Sequence, residues 1–131
     1  MILLDTHAWV YWVSDPERLS GLARRIIDEA AGRREVCVAT ISAWEVAMLV
    51  RKGRLELTVD VRDWVSRSEA LPFLTFVPLD AAIAVEATRL PDFPHSDPAD
   101  RIIAATARSL GARLVTRDAR LTAWPHLETI W

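Results

Sequence analysis

Acidic residues at five positions of this 131-residue chain stand where chemistry can be done. Asp5 follows the apolar run Ile2-Leu3-Leu4, and Glu45 lies in Ile41-Ser42-Ala43-Trp44-Glu45. Asp97 and Asp100 fall in Asp97-Pro98-Ala99-Asp100, and Asp118 closes Leu114-Val115-Thr116-Arg117-Asp118. Two carboxylates about 4 Å apart repel by roughly 4 kcal/mol at an effective dielectric of ~20. Three or four converging would cost an amount comparable to a whole domain's stability of ~5–15 kcal/mol. Such a cluster persists only with protons or with a divalent cation. No cysteine and no paired histidines accompany these acids, so the donor set is hard oxygen, which selects Mg²⁺ or Mn²⁺ over Zn²⁺. Magnesium keeps waters and takes substrate phosphates as further ligands, which is the logic of metal-dependent phosphodiester hydrolysis.

Each acid also has a structural reading. Asp5 suits the N-cap of a helix beginning near Thr6, Ser42-x-x-Glu45 has the pattern of a capping box, and Asp97-Pro98-x-Asp100 is an ordinary acidic helix start. Asp97 fits the cap better than a ligand role. With its side chain on the amides of the first turn, Asp100 is freer to point into a cleft. Whether the acids meet depends on the elements that carry them.

The run Ile2-Leu3-Leu4 has nothing polar within it and suits a strand buried on both faces, as in a parallel sheet covered by helices. Thr6 to Val13 reads as a short helix ended by Asp15-Pro16, and Ser20 caps a second helix through Arg33. Val36 to Ala39 is the second strand. Ser42 opens a third helix through Lys52, with Gly53 as its C-cap. Asp60 caps a fourth, carrying Val61, Trp64, Val65 and Leu71. Phe73 to Leu79 is the third strand, and Asp80 starts a helix from Ala81 to Leu90. After the loop Pro91 to Ser96, Asp97-Pro98 begins a helix that runs to Gly111. Arg113 to Thr116 is the fourth strand, and Leu127 to Ile130 forms a fifth.

Strands alternating with helices through short joins predict a three-layer α/β/α domain over residues 1–131, with a central parallel sheet of about five strands and right-handed crossovers. In the strand order 3-2-1-4-5, Asp5 and Asp118 flank the point where the order reverses. That is where ligands bind in open α/β sheets.

Composition narrows the rest. Hydrophobic residues make up 51% of the chain, ample for a core. A net charge of −2 gives no global attraction to nucleic acid or to an anionic membrane, so any such attraction is local. Lys52 is the only lysine, which favours arginine-type phosphate contacts and argues against lysine-dependent catalysis. The single cysteine, Cys37, excludes an internal disulfide and fits a reducing compartment. The N-terminus lacks a basic region, and no apolar run approaches the ~20 residues needed to cross a bilayer. A soluble, cytoplasmic protein is expected.

The stretches Leu3-Leu4-Asp5-Thr6-His7, Ile41 to Ala47, Asp97 to Ala105 and Leu114 to Asp118 resemble the PIN-domain ribonucleases, in particular VapC-type toxins of bacterial toxin–antitoxin pairs. The resemblance runs from end to end of the chain in the family's order. It implies a Mg²⁺- or Mn²⁺-dependent endoribonuclease, the toxin of a type II toxin–antitoxin system, restrained by a small VapB-type antitoxin and forming a homodimer. Carried over by position, the family's acidic quartet falls on Asp5, Glu45, Asp100 and Asp118, with Asp5 and Asp100 as the direct magnesium ligands. Thr116 matches a polar residue near the site and Thr6 follows the first acid; Asp97 belongs to the local pattern. On the residues' own chemistry, Glu45 or Asp118 then orients the attacking water or holds a second ion.

Arg101, Arg117 and Arg120 lie close in sequence to the acids and are candidates for phosphate binding, the alternative being charge balance of the carboxylates. Arg51, Lys52 and Arg54 favour the end of their helix or contact RNA. His7 either donates to a scissile phosphate or is structural, while His95 and His126 have no partner at ligand spacing. Six tryptophans suit core packing, with any exposed fraction suited to a protein interface. Specificity is expected in the loops Glu56 to Asp63 and Pro91 to Ser96. Three rivals stand beside the ribonuclease: a phosphoacceptor receiver domain, which the absence of a lysine after the last strand argues strongly against, a non-catalytic interaction module whose acids are all caps, and a DNA-directed nuclease of the same fold.

Overall fold

In the computed structural model, which describes residues 1–131, the first strand, β1 (Ile2–Leu4), lies at the centre of the sheet with all three residues buried. It pairs in parallel with β2 (Val36–Ala39) on one side and β4 (Arg113–Val115) on the other, Ile2 facing Val36 and Arg113. The outer strands β3 (Leu74–Val77) and β5 (Thr129–Ile130) complete the order β3-β2-β1-β4-β5, all parallel. The continuous apolar runs follow from that position, because a central parallel strand meets helices on both faces.

Alternation along the strands sorts side chains between two layers. Ile2, Leu4, Val36 and Val38 pack against Ala8 and Trp9 of α1 (Thr6–Ser14), Ala23 and Ile27 of α2 (Gly21–Gly32) and Trp64 of α4 (Val61–Glu69). On the opposite face, Leu3, Cys37 and Leu114 meet Ile103 and Ala107 of α6 (Pro98–Leu110). Trp9 is fully buried, with its ring centroid 4.6 Å from that of Trp64 and 5.4 Å from that of Phe76. A satellite cluster joins Ile83 and Ala87 of α5 (Ala81–Ala87) to Ala104 and Trp124. No helix is long and apolar enough to cross a membrane.

The helix starts decide how the acids are aimed. Helix α3 (Ile41–Arg51) begins one residue earlier than expected, because Thr40 already has helical dihedrals and makes no side-chain cap. Ser42 therefore lies inside the helix, fully buried, and the expected capping box with Glu45 does not form. The helix ends with Gly53, at φ +71°, letting the Arg54 amide reach Leu49 O at 2.9 Å. Other boundaries are shorter than expected. Helix α4 stops at Glu69, before Leu71, and α5 stops at Ala87 although Leu90 beyond it remains buried. A 3₁₀ turn, Pro16–Arg18, and a five-residue helix, α7 (Ala119–Ala123), appear where no element was expected.

Candidate functional site

The sheet delivers Asp5 and Thr116 side by side at the carboxyl ends of β1 and β4, with the Asp5 amide donating to Val115 O at 3.1 Å. Asp5 Oδ1 accepts from the Ala8 amide at 2.8 Å, so this residue caps α1 as one of its readings predicted. It also lines a cleft of about 440 Å³ together with Glu45, Asp97, Asp100 and Asp118. Cap and cleft are therefore roles of one side chain, not rivals. Asp97 Oδ1 accepts from the Ala99 amide at 2.8 Å, and Asp118 Oδ1 from the Arg120 amide at 2.9 Å. Glu45 and Asp100 accept from no backbone amide, which leaves their place in the cleft without a helix-capping explanation.

Glu45 is held by hydroxyls. Its Oε1 accepts from Thr6 Oγ1 at 2.5 Å, and Thr6 Oγ1 lies 2.9 Å from the fully buried Ser42 Oγ. Thr6 has one proton to give, so Ser42 donates to Thr6 while Thr6 donates to Glu45. Thr116, also fully buried, accepts from the Asp118 amide at 3.1 Å, and its hydroxyl bonds Asp5. Thr6 thus holds Glu45, and Thr116 links Asp5 to Asp118; Asp100 bonds neither threonine.

The electrostatics show a concentration of negative charge short of counterions. Burial pushes the Glu45 carboxyl up to about 7, with Asp100, Asp97 and Asp5 adding repulsion against the pull of Thr6. Burial likewise raises Asp100, reinforced by Asp97, and raises Asp5 against the hydrogen bonds from Thr116 and Ala8. At Asp118 burial also acts upward, but the Arg120 amide and His95 outweigh it and hold the carboxyl below its ordinary value. No three of these groups yet close around a single point as a finished cation shell. The donor set fits a hard divalent cation nonetheless: the ligand atoms are oxygen, and burial without a nearby positive charge raises Asp5, Glu45 and Asp100 above their ordinary values. A larger groove, about 660 Å³, runs past Tyr11 and Trp64. It lacks this convergence, since of its acids Asp15 is paired with Arg18 at 3.1 Å and only Glu56 remains.

The basic candidates divide. Arg117 lines the cleft with its guanidinium 5.4 Å over the Tyr11 ring, where it can meet a phosphate. Arg101 faces away from the cleft, contrary to its expected place there: its Nη1 donates to Ala87 O at 3.2 Å and its guanidinium lies 5.3 Å over Phe93. Arg101 follows Asp100 directly, about 100° further round the helix, which turns its side chain out of the cleft. Neither Arg101, Arg117 nor Arg120 forms an ion pair, so these arginines do not balance the acids by direct contact. His7 lines the cleft. His95, expected to lack a partner, bonds Asp118 Oδ2 through Nε2 at 2.7 Å. Only the position of its loop, immediately before the Asp97-Pro98 helix start, hinted at that contact.

A five-stranded parallel sheet in this order, with acids gathered at its carboxyl edge, is the architecture of a PIN domain, and residues 2–126 match that family. The chain belongs to the PIN-domain family. It is 37% identical over 132 residues to Ribonuclease VapC22 of Mycobacterium tuberculosis, covering 99% of this chain and 98% of that protein. Among solved structures it is similar to VapBC2 from Rickettsia felis bound to a promoter DNA fragment, at 18% identity and a TM-score of 0.73, covering 99% of this chain and 98% of that one. It is also similar to FitAcB from Neisseria gonorrhoeae, at 21% identity and a TM-score of 0.67, covering 100% of this chain and 97% of that one. At those identities the likeness to the solved structures is one of fold.

Proposed function

We propose that this chain is a divalent-metal-dependent endoribonuclease, the toxin of a type II toxin–antitoxin pair. The observation that carries the reading is the convergence of Asp5, Glu45, Asp100 and Asp118 on one cleft in a chain 37% identical to a ribonuclease. Asp5 and Asp100 are the residues to hold Mg²⁺ or Mn²⁺. When bound, the cation neutralises the phosphate and increases the acidity of water beside it. Glu45 takes the proton of the attacking water, and the Ser42–Thr6 hydroxyl chain keeps its Oε1 oriented. Asp118, with both oxygens engaged by His95 and the Arg120 amide, orients groups at the far wall. Arg117 meets the phosphate from the Tyr11 side.

The partners follow from the same relatives. Solved neighbours include VapBC2, FitAcB and a toxin–antitoxin complex from Klebsiella pneumoniae, so a small antitoxin is the expected partner here. Trp44, 56% exposed on α3 beside Glu45, is surface suited to being covered by that antitoxin or by a second copy of the chain.

Incubating the purified chain with total RNA in Mg²⁺ or Mn²⁺, beside an EDTA control, tests the reading. Cleavage that stops on chelation is the expected result; cleavage that survives it removes the metal from the account. Thr6→Val provides a finer check on Glu45. Loss of the hydroxyl should raise the Glu45 titration by about one pH unit and move the rise of the pH–rate profile upward by the same amount. An unshifted profile would take the proton-accepting role away from Glu45.

A further inference from the structure

Beside the acidic cleft lies a second hollow of about 420 Å³, walled by Phe93, His95, Ser96, Asp97, Arg101 and Arg120. We infer that it is an anion subsite seating a phosphate of the RNA strand next to the one being cut, with Arg120 and Arg101 as its ligands. The inference rests on the nuclease reading above and names where the rest of that substrate goes.

The hollow is built rather than incidental. Trp124 Nε1 donates to Pro91 O at 2.8 Å and the Phe93 ring meets Trp124 edge-on at 5.1 Å, which pins the loop 91–96 against the helices. Phe93 in turn supports the Arg101 guanidinium, and Ala87 O fixes one of its nitrogens. A guanidinium carries five N–H donors, so most of those of Arg101 remain for a ligand in a fixed orientation. Arg120 stands exposed on the other wall, and neither arginine has a carboxylate partner. The one acid of the hollow, Asp97, has Oδ1 engaged with the Ala99 amide.

Two guanidiniums without counterions, in a chain of net charge −2 and directly beside a surplus of carboxylates, are placed as a phosphate site is placed. The hollow adjoins the cleft, for Asp97 lines both and the His95–Asp118 bond runs between their walls. A strand with one phosphate in the cleft carries further phosphates at regular spacing, and this hollow receives the next. An acidic peptide would match the arginines equally but would gain nothing from a track leading into carboxylates. RNA is therefore the occupant.

The test is the steady-state cleavage, in Mn²⁺ and at several salt concentrations, of a labelled RNA oligonucleotide that the wild type cuts. Because the subsite holds a phosphate that does not react, Arg120→Gln should raise KM about 5–10-fold with kcat within about twofold of wild type. The salt dependence of log(1/KM) should become shallower by about 0.7, one phosphate contact on a single strand. Arg25→Gln, on the exposed face of α2, should change neither. Unchanged KM and salt slope in Arg120→Gln, with the wild type active, would overturn the subsite alone, whereas absence of RNA cleavage by the wild type would overturn the nuclease reading beneath it. Polyglutamate added as inhibitor reports on the peptide alternative. Competition that is lost in Arg120→Gln would reassign the hollow to a protein partner, and absence of competition supports RNA.

Discussion

Asp5→Asn is expected to slow metal-dependent RNA cleavage at least ~10³-fold, about 4 kcal/mol of barrier, while leaving the metal-free chain as stable as wild type or more so. The pairing of those two outcomes is what gives the substitution its force. Asparagine retains an Oδ1 that can accept the Ala8 amide, so the cap on α1 survives. What disappears is a charge whose ionisation burial already opposes and Asp118 opposes further. Removing it relieves repulsion in the folded state and should raise the melting temperature of the metal-free protein by a few degrees at pH 8. A residue that only capped a helix would show neither effect. Full cleavage activity in Asp5→Asn, measured in Mn²⁺, would remove Asp5 from the reaction.

The second large effect is a dependence of stability on pH that a cation reverses. Glu45 titrates at about 7 in the folded chain against an ordinary value of 4.5. Between those values the unfolded chain has released this proton while the folded chain retains it. The folded state therefore binds more protons, and stability falls as pH rises through that window, levelling above about pH 7. The shift at full weight amounts to about 3 kcal/mol. Solvent reaching Glu45 through the open cleft reduces this to ~1–2 kcal/mol. Asp5 and Asp100, also raised, act in the same direction, whereas the lowered Asp118 and Glu35 act below their ordinary carboxyl values and leave pH 5–8 untouched.

The metal-free chain should then melt roughly 3–8 °C lower at pH 8 than at pH 5. Mn²⁺ should restore stability at pH 8, by about 2.7 kcal/mol at a hundred times its dissociation constant, and much less at pH 5, where Glu45 holds its proton. Melting curves with and without Mn²⁺ at the two pH values check both signs. A melting temperature indifferent to pH and to Mn²⁺ is what a module with purely helix-capping acids would show.

The strands were legible because they are short, largely apolar and set among helix caps that the chain spells out, whereas their order came with the resemblance to the PIN domains. Ile2-Leu3-Leu4 reads as buried on both faces, and Asp5, Ser20, Asp60, Asp80 and Asp97 all cap the helices that follow them. The acids of the cleft were legible for the same reason, as residues at strand ends and helix starts. Ser42 was misleading: the capping-box pattern is local, but Thr40 turns into the helix a residue earlier and the Ser42 hydroxyl goes to Thr6, 36 residues away. The five residues of α7 carry too little periodicity to announce a helix. The His95–Asp118 bond spans 23 residues of sequence, and the aim of Arg101 depends on which face of α6 meets Phe93. Those contacts belong to the assembled fold and have no signature in spacing.

Anomalous diffraction at the manganese absorption edge, from a crystal grown with Mn²⁺ at pH 8, addresses the heart of the account. The predicted result is an anomalous peak in the cleft bonded to carboxylate oxygens of both Asp5 and Asp100, with Glu45 and Asp118 facing it. Manganese bound only elsewhere on the molecule, with those two aspartates making no contact to it, would contradict the metal-centred nuclease.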